Sequence, residues 1–170
     1  MEAARSTCEA LNLALRDNLF AVHLHGSAVL GGYRHDRSDL DILVLTERDL
    51  TEGDSAAIAI AIDHVAYPAR GLEMTVLTKA EAARPDARSP RFQLHLTTSG
   101  HAGMLRAVDG RDREGDRDLI VHFAVCRAAG VALIGPPAEG ALASIADPVL
   151  RQAILDEVAW ASGAPPSIWS

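Results

Sequence analysis

Two aspartates, two residues apart, open an otherwise unbroken apolar run: Asp39-Leu-Asp-Ile-Leu-Val-Leu45. A short run of this kind after the polar loop 33–38 reads as a β-strand covered on both faces, the position of a central strand in a sheet. A strand sends residues i and i+2 to the same side, so Asp39 and Asp41 share a face. Two carboxylates on an apolar strand repel each other and are costly to bury alone. A bound divalent cation removes both costs. Mg²⁺ is hard and oxygen-preferring, fits such a pair, and usually arrives with a phosphate-bearing substrate.

The elements around this strand alternate. Residues 3–17 carry apolar side chains at helical spacing (Ala10, Leu11, Ala14, Leu15), and 19–25 read as a strand ending at Gly26-Ser27. Gly31-Gly32 marks a break. A helix is expected over 52–66 with Thr51 or Asp54 near its start, and a strand over 71–78. A short helix over 79–84 should stop at Pro85, and 91–97 is a candidate fourth strand. Residues 99–117, rich in glycine, aspartate and arginine, read as a solvated loop. A helix over 118–129 closed by Gly130 as a C′ residue, a strand over 131–134 and a helix over 148–161 complete the pattern. Asp147 is the expected N-cap of that last helix, with Pro148 at its first position. The expected organisation is one domain over 1–161 and a linker-like tail over 162–170.

Composition narrows the function classes. The 170 residues suffice to bury a core without disulfides, and Cys8 and Cys126 form neither a disulfide framework nor a zinc spacing. A net charge of -7 argues against a surface that coats nucleic acid. With 4% aromatic residues, a base-stacking platform is not expected either. No apolar run approaches the roughly 20 residues that span a bilayer. The mixed first residues suggest no signal peptide, so a cytoplasmic location is expected.

Two further features converge on the aspartate pair. Glu73 lies in Leu72-Glu73-Met74-Thr75-Val76, where the apolar residues take one face and Glu73 takes the other. If this strand neighbours 39–45, a third carboxylate joins the pair, and a base there could take the proton of an acceptor hydroxyl. Gly26-Ser27 at a strand end offers backbone N–H groups and a hydroxyl to a phosphate. No Gly-Lys-Ser/Thr follows, so this is not a Walker loop. Ser38 and Arg37, just before the aspartates, are further candidates for holding or steering a triphosphate. His23, His25 and His35 are expected to be hydrogen-bonded rather than zinc ligands, since no carboxylate is seen to converge on them. Cys8 and Cys126 are expected as core thiols, and Trp160 and Trp169 are expected to pack against the sheet, or against missing or partner segments, rather than to bind a drug.

The stretch LHGSAVLGGYRHDRSDLDILVL, 24–45, resembles the nucleotidyltransferase superfamily pattern: apolar residues, Gly-Ser, a spacer, then Asp-x-Asp on a strand. With RGLEMTVL (70–77), VALIGPPAEG (131–140) and DPVLRQAILDEVAW (147–160), the chain is similar to the aminoglycoside 3″-adenylyltransferases of streptomycin and spectinomycin resistance. This resemblance implies an α/β (α+β) fold, a mixed β-sheet flanked by helices. It implies transfer of AMP from Mg²⁺-bound ATP to a hydroxyl of an aminoglycoside or aminocyclitol. Asp39 and Asp41 match the family's magnesium ligands and Glu73 its catalytic base. Ser27 and Ser38 match positions near the triphosphate. The family also places a drug-contacting aromatic after the Glu strand, for which 91–97 offer Phe92. It further carries an all-helical second domain, so a partner or self-association is expected to supply that half here. Weighed against drug transfer are a nucleotide-binding module without it and adenylylation of a protein partner.

Overall fold

The computed structural model describes residues 2–67, 70–85, 89–98, 105–111 and 114–163. In chain order the elements are α1 (Glu2–Leu15), β1 (Leu19–His25), β2 (Leu40–Thr46), α2 (Glu52–Asp63), β3 (Leu72–Thr78), α3 (Lys79–Ala83), β4 (Leu94–Thr98), β5 (Leu105–Asp109), α4 (Leu119–Ala129), β6 (Val131–Ile134), α5 (Ala138–Ala141) and α6 (Asp147–Ala161). The six strands form one sheet in the order β5-β4-β3-β2-β1-β6. Among the described residues only β2 and β3 run parallel, paired from Leu40↔Leu72 to Thr46↔Thr78, and the other pairs are antiparallel. A parallel pair needs a crossover, and α2 supplies it. The result is the expected mixed sheet flanked by helices.

β2 and β3 are the two central strands, with helices on both faces; the near-continuous apolar run belongs to β2. On one face Val22, Leu24, Leu40, Ile42, Val44, Leu72, Met74 and Val76 pack against Leu11 and Leu15 of α1 and Ile58 and Ile62 of α2. On the other, Ala21, Leu43, Leu45 and Leu77 pack against Leu119, Phe123 and Cys126 of α4. Each such buried Leu, Ile or Phe contributes about 1.5–3 kcal/mol, so α4 is fastened to the second face by its own core.

Local signals explain several boundaries. Thr51 caps α2 by accepting from the Asp54 amide at 3.1 Å, while the Asp54 carboxylate accepts from the Thr51 amide at 2.9 Å. The helix ends at Asp63, before the expected 66. Residues 99–117 differ from expectation: within them β5 pairs with β4 from Leu94↔Asp109 to Thr98↔Leu105. Gly130 was expected as a left-handed cap, yet its backbone is extended (φ -63, ψ 147). Its glycine is needed for approach instead, since a Cβ would sit 2.4 Å from the Cys126 carbonyl oxygen. Asp147 lies inside the first turn of α6, not at its cap; Ala146 holds that position and Pro148 stands in the first turn. Trp160 is 80% exposed and does not pack on the sheet. Trp169 and most of the tail, 164–170, lie outside the described residues. Among the described residues, no helix is long and apolar enough to cross a membrane.

Candidate active site

Strand parity decides which side chains meet. Ala21 of β1, Leu43 and Leu45 of β2 and Leu77 of β3 face α4. Residues two or four positions away share that side, so His25, Asp41 and Glu73 lie under α4. Register then lines them up: His25 pairs with Asp41 across β1–β2, and Asp41 with Glu73 across β2–β3. Three polar side chains therefore form a row across three adjacent strands, with neighbours about 4.8 Å apart in the backbone.

The turn after β1 is built around this row. Gly26 adopts a left-handed backbone (φ 64), and a Cβ there would fall 1.9 Å from Asp41 Oδ2. Only glycine lets the chain pass so close to the carboxylate. The next amide, Ser27 N–H, donates to the Asp41 carboxylate. Ser27 Oγ is buried and, among the described residues, has no hydrogen-bond partner. An orphaned buried hydroxyl of this kind calls for a ligand.

Asp41 is the most perturbed acid here. Burial, then the charges of Asp39 and Glu73, push its pKa up from 3.8 to about 6, against the opposing pull of His122 and of the Ser27 amide. Asp39 and Asp41 offer only carboxylate oxygen, and the repulsion that they and the neighbouring Glu73 exert on one another is what a divalent cation at the pair would relieve. With the orphaned Ser27 hydroxyl alongside, these residues fit a hard ion carrying a phosphate.

α4 brings two residues that sequence reasoning passed over. Asp118 and His122 stand four apart, one helical turn, and His122 Nε2–H donates to Asp118 Oδ2 at 3.0 Å. That hydrogen bond, more than the opposing burial, holds the Asp118 carboxyl below its ordinary range. Burial opposes charge on His122, but the bond to Asp118 and the charges of Asp118, Glu73 and Asp41 outweigh it and raise its pKa. Ligand atoms of Glu73, Asp118 and His122 all lie within 4.8 Å of one another. His25 sits against His122 with ring centroids 5.0 Å apart. Burial, then the charges of His122 and His23, bring its pKa down to about 3, so it stays neutral. The Asp-x-x-x-His spacing at the start of a helix was visible in the sequence; the strand it would face was not.

A cavity of about 430 Å³ opens beside the row, lined by His25, Gly26, Ser27, Asp41 and His122 with Leu30 and Val125 as apolar wall. The other candidates make these contacts. Ser38 Oγ accepts from the Arg34 amide at 2.9 Å and closes its own turn. Arg37 is exposed, its Nε 3.9 Å from Asp36. Phe92 is a core residue on the α4 side of the sheet, 7% exposed, and lines a separate cavity with Gln93 and Gly110. His23 is buried; its Nε2–H donates to the Pro136 carbonyl at 3.0 Å, and its buried Nδ1 has no partner among the described residues, while His25 makes no side-chain hydrogen bond among them. Cys126 is a core thiol, pushed up to about 12 by burial and then by the charge of Glu139, and Cys8 is partly buried.

A sequence profile of the nucleotidyltransferase domain matches residues 8–94, which hold Gly26, Ser27, Asp39, Asp41 and Glu73 and stop short of α4. Among solved structures, spectinomycin adenyltransferase AAD(9) from Enterococcus faecialis, crystallised with ATP and spectinomycin, aligns with a TM-score of 0.71 at 19% identity. The alignment covers 92% of this chain and 64% of that one, so this chain spans under two thirds of its length and shares its fold. A toxin-antitoxin structure with AMP-PNP aligns at a TM-score of 0.38 and 15% identity over 93% of this chain and 94% of that chain, too low a score to support any inference.

Proposed function

Because the chain belongs to the nucleotidyltransferase domain family, we propose that it transfers AMP from magnesium-bound ATP to a hydroxyl of an aminoglycoside or aminocyclitol such as streptomycin or spectinomycin. The observation that carries this reading is the in-register pairing of Asp41 with Glu73 beneath an orphaned Ser27 hydroxyl. Asp39 and Asp41 would hold the magnesium of the bound triphosphate. The Ser27 hydroxyl and the turn at Gly26 take a phosphate oxygen, which gives the buried hydroxyl its partner. Glu73 accepts the proton of the acceptor hydroxyl as that oxygen attacks the α-phosphorus. The bond from the α-phosphorus to the bridging oxygen breaks, and pyrophosphate leaves with the electron pair. When bound, magnesium supplies neutralisation of the charge that builds on the leaving phosphates. The net charge of -7 favours a cationic acceptor.

The drug class rests on the resemblance of 70–77, 131–140 and 147–160 and on the shared fold. Part of the site would come from a further helical segment or a partner. The apolar side chains that α6 leaves exposed, Ile154, Val158 and Trp160, support this. Purified protein should release pyrophosphate from ATP with streptomycin or spectinomycin in the presence of Mg²⁺, and Asp39→Asn should abolish it. Pyrophosphate release that needs neither drug, or turnover retained in Asp39→Asn, would defeat the drug and metal assignments respectively.

A further inference from the structure

The Asp118–His122 pair is not used by the transfer reaction above, yet it points at the same row of residues. We propose that Glu73, Asp118 and His122, with His25 as fourth donor, form a second cation site that takes a borderline transition ion of the zinc class, separate from the carboxylate pair at Asp39 and Asp41.

Geometry supports this first. The ligand atoms of Glu73, Asp118 and His122 lie within 4.8 Å of one another and come from two elements, β3 and α4, that are packed together through a shared core. Tetrahedral zinc with bonds of about 2.1 Å needs its ligand atoms about 3.4 Å apart. Asp118 Oδ2 and His122 Nε2 stand at 3.0 Å, so small side-chain rotations reach that spacing. The ion takes the place of the proton these two atoms share, and that proton leaves to solvent.

His25 is the independent observation. His25 is 3% exposed, makes no side-chain hydrogen bond among the described residues and lines the cavity beside the row; it stands outside the group of atoms within 4.8 Å and joins them by a turn of its ring. Two imidazoles on one tetrahedral zinc ion have ring centroids about 5.2 Å apart, from bonds of about 2.0–2.1 Å. The His25 and His122 centroids are 5.0 Å apart and the rings are tilted by 58°. Two neutral nitrogens and two carboxylates make a mixed donor set. Such a set selects zinc-class ions, while oxygen-only Asp39 and Asp41 suit magnesium. His23 and His35 take no part, since His23 is bound to the Pro136 carbonyl and His35 is exposed.

An ion here occupies the Glu73 carboxylate. On the reading that Glu73 is the base, zinc would therefore hold the enzyme inactive, and this consequence alone depends on that reading. The site itself is tested without nucleotide. Zn²⁺ is titrated into the full chain against a chromophoric chelator, and Co²⁺ is added separately to read visible absorption. We expect one equivalent of Zn²⁺ bound, with affinity reduced at least about tenfold by His122→Gln and by Asp118→Asn, since even an outer-shell loss costs that much. Co²⁺ should give a visible band of tetrahedral intensity that His122→Gln removes. Glu73→Gln, at a partly buried strand position, serves as the variant least prone to unfolding, and circular dichroism verifies each fold. Asp41→Asn should keep zinc binding and lose Mg²⁺-ATP binding. Zinc binding that is absent from the wild type, or unchanged by His122→Gln and Glu73→Gln, overturns the site. Loss of Mg²⁺-ATP binding in the wild type instead overturns the transfer reading and leaves the zinc site standing.

Discussion

Removing the charge at Asp41 should make the metal-free protein more stable while destroying its site. The rise of the Asp41 pKa from 3.8 to about 6 means that the folded state resists its ionisation. Such a rise is equivalent to about 3 kcal/mol. Water at the open mouth of the cavity screens part of it, which leaves about 1–2 kcal/mol. The sign follows from proton counts. Between pH 3.8 and about 6 the folded state binds more protons than the unfolded one, so wild-type stability falls as pH rises through that window. The amide side chain of the Asp41→Asn variant keeps an oxygen to accept from the Ser27 amide and carries no charge. In EDTA near pH 7.5, urea unfolding should show Asp41→Asn about 1–2 kcal/mol more stable than wild type. Near pH 4.5 the gain should shrink to about a third. The buried His25 titrates oppositely in both proteins, so its own contribution largely cancels in the difference, which carries Asp41 together with the part of the His122 shift that the Asp41 charge causes. Added Mg²⁺ should stabilise wild type and leave the variant unchanged. A variant less stable than wild type near pH 7.5, or a difference independent of pH, would refute the electrostatic account of the site.

Other substitutions follow from the same geometry. Gly26→Ala forces a Cβ to 1.9 Å from Asp41 Oδ2 on a left-handed backbone; it should cost about 1–2 kcal/mol from the backbone alone in a thermal melt, and weaken Mg²⁺-ATP binding by calorimetry. Glu73→Gln should lower turnover by about 10²–10⁴ while leaving Mg²⁺-ATP affinity within about twofold, as steady-state kinetics and calorimetry would read. Phe123→Ala, at a fully buried position between α4 and the sheet, should cost about 3–5 kcal/mol in urea unfolding.

What the sequence disclosed, and what it did not, divides along the range of the interactions. The β2 run is apolar on both faces, and that pattern is local, so its central place could be read directly; β3, with Glu73 and Thr75 on one face, was legible as a strand but not as a central one. The Gly26-Ser27 turn and the parity of Asp41 and Glu73 were legible for the same reason. Strand β5 was not. It is an edge strand whose Arg106, Ala107 and Asp109 are exposed, and its neighbours are charged and glycine-rich, so it carries almost no period-two signal. Its pairing comes from β4, which the local pattern does not encode. The helix carrying Asp118 and His122 was visible, but which strands it covers depends on the packing of Phe123 and Leu119 against Leu43, Leu45 and Leu77. His25 was expected to be hydrogen-bonded; α4 brings it His122 instead, a meeting of residues far apart in the chain. Phe92 looked like a ligand contact because its segment follows Glu73, yet Gly110 opens the space in which the ring is buried.

Calorimetric titration of Mg²⁺-ATP into wild type and Asp39→Asn tests the central claim most directly, that an aspartate pair beside a glycine-serine turn holds a metal-bound nucleotide. The account predicts saturable binding to wild type that requires Mg²⁺ and is lost in Asp39→Asn. Equal binding with and without Mg²⁺, or equal binding to both proteins, would contradict it.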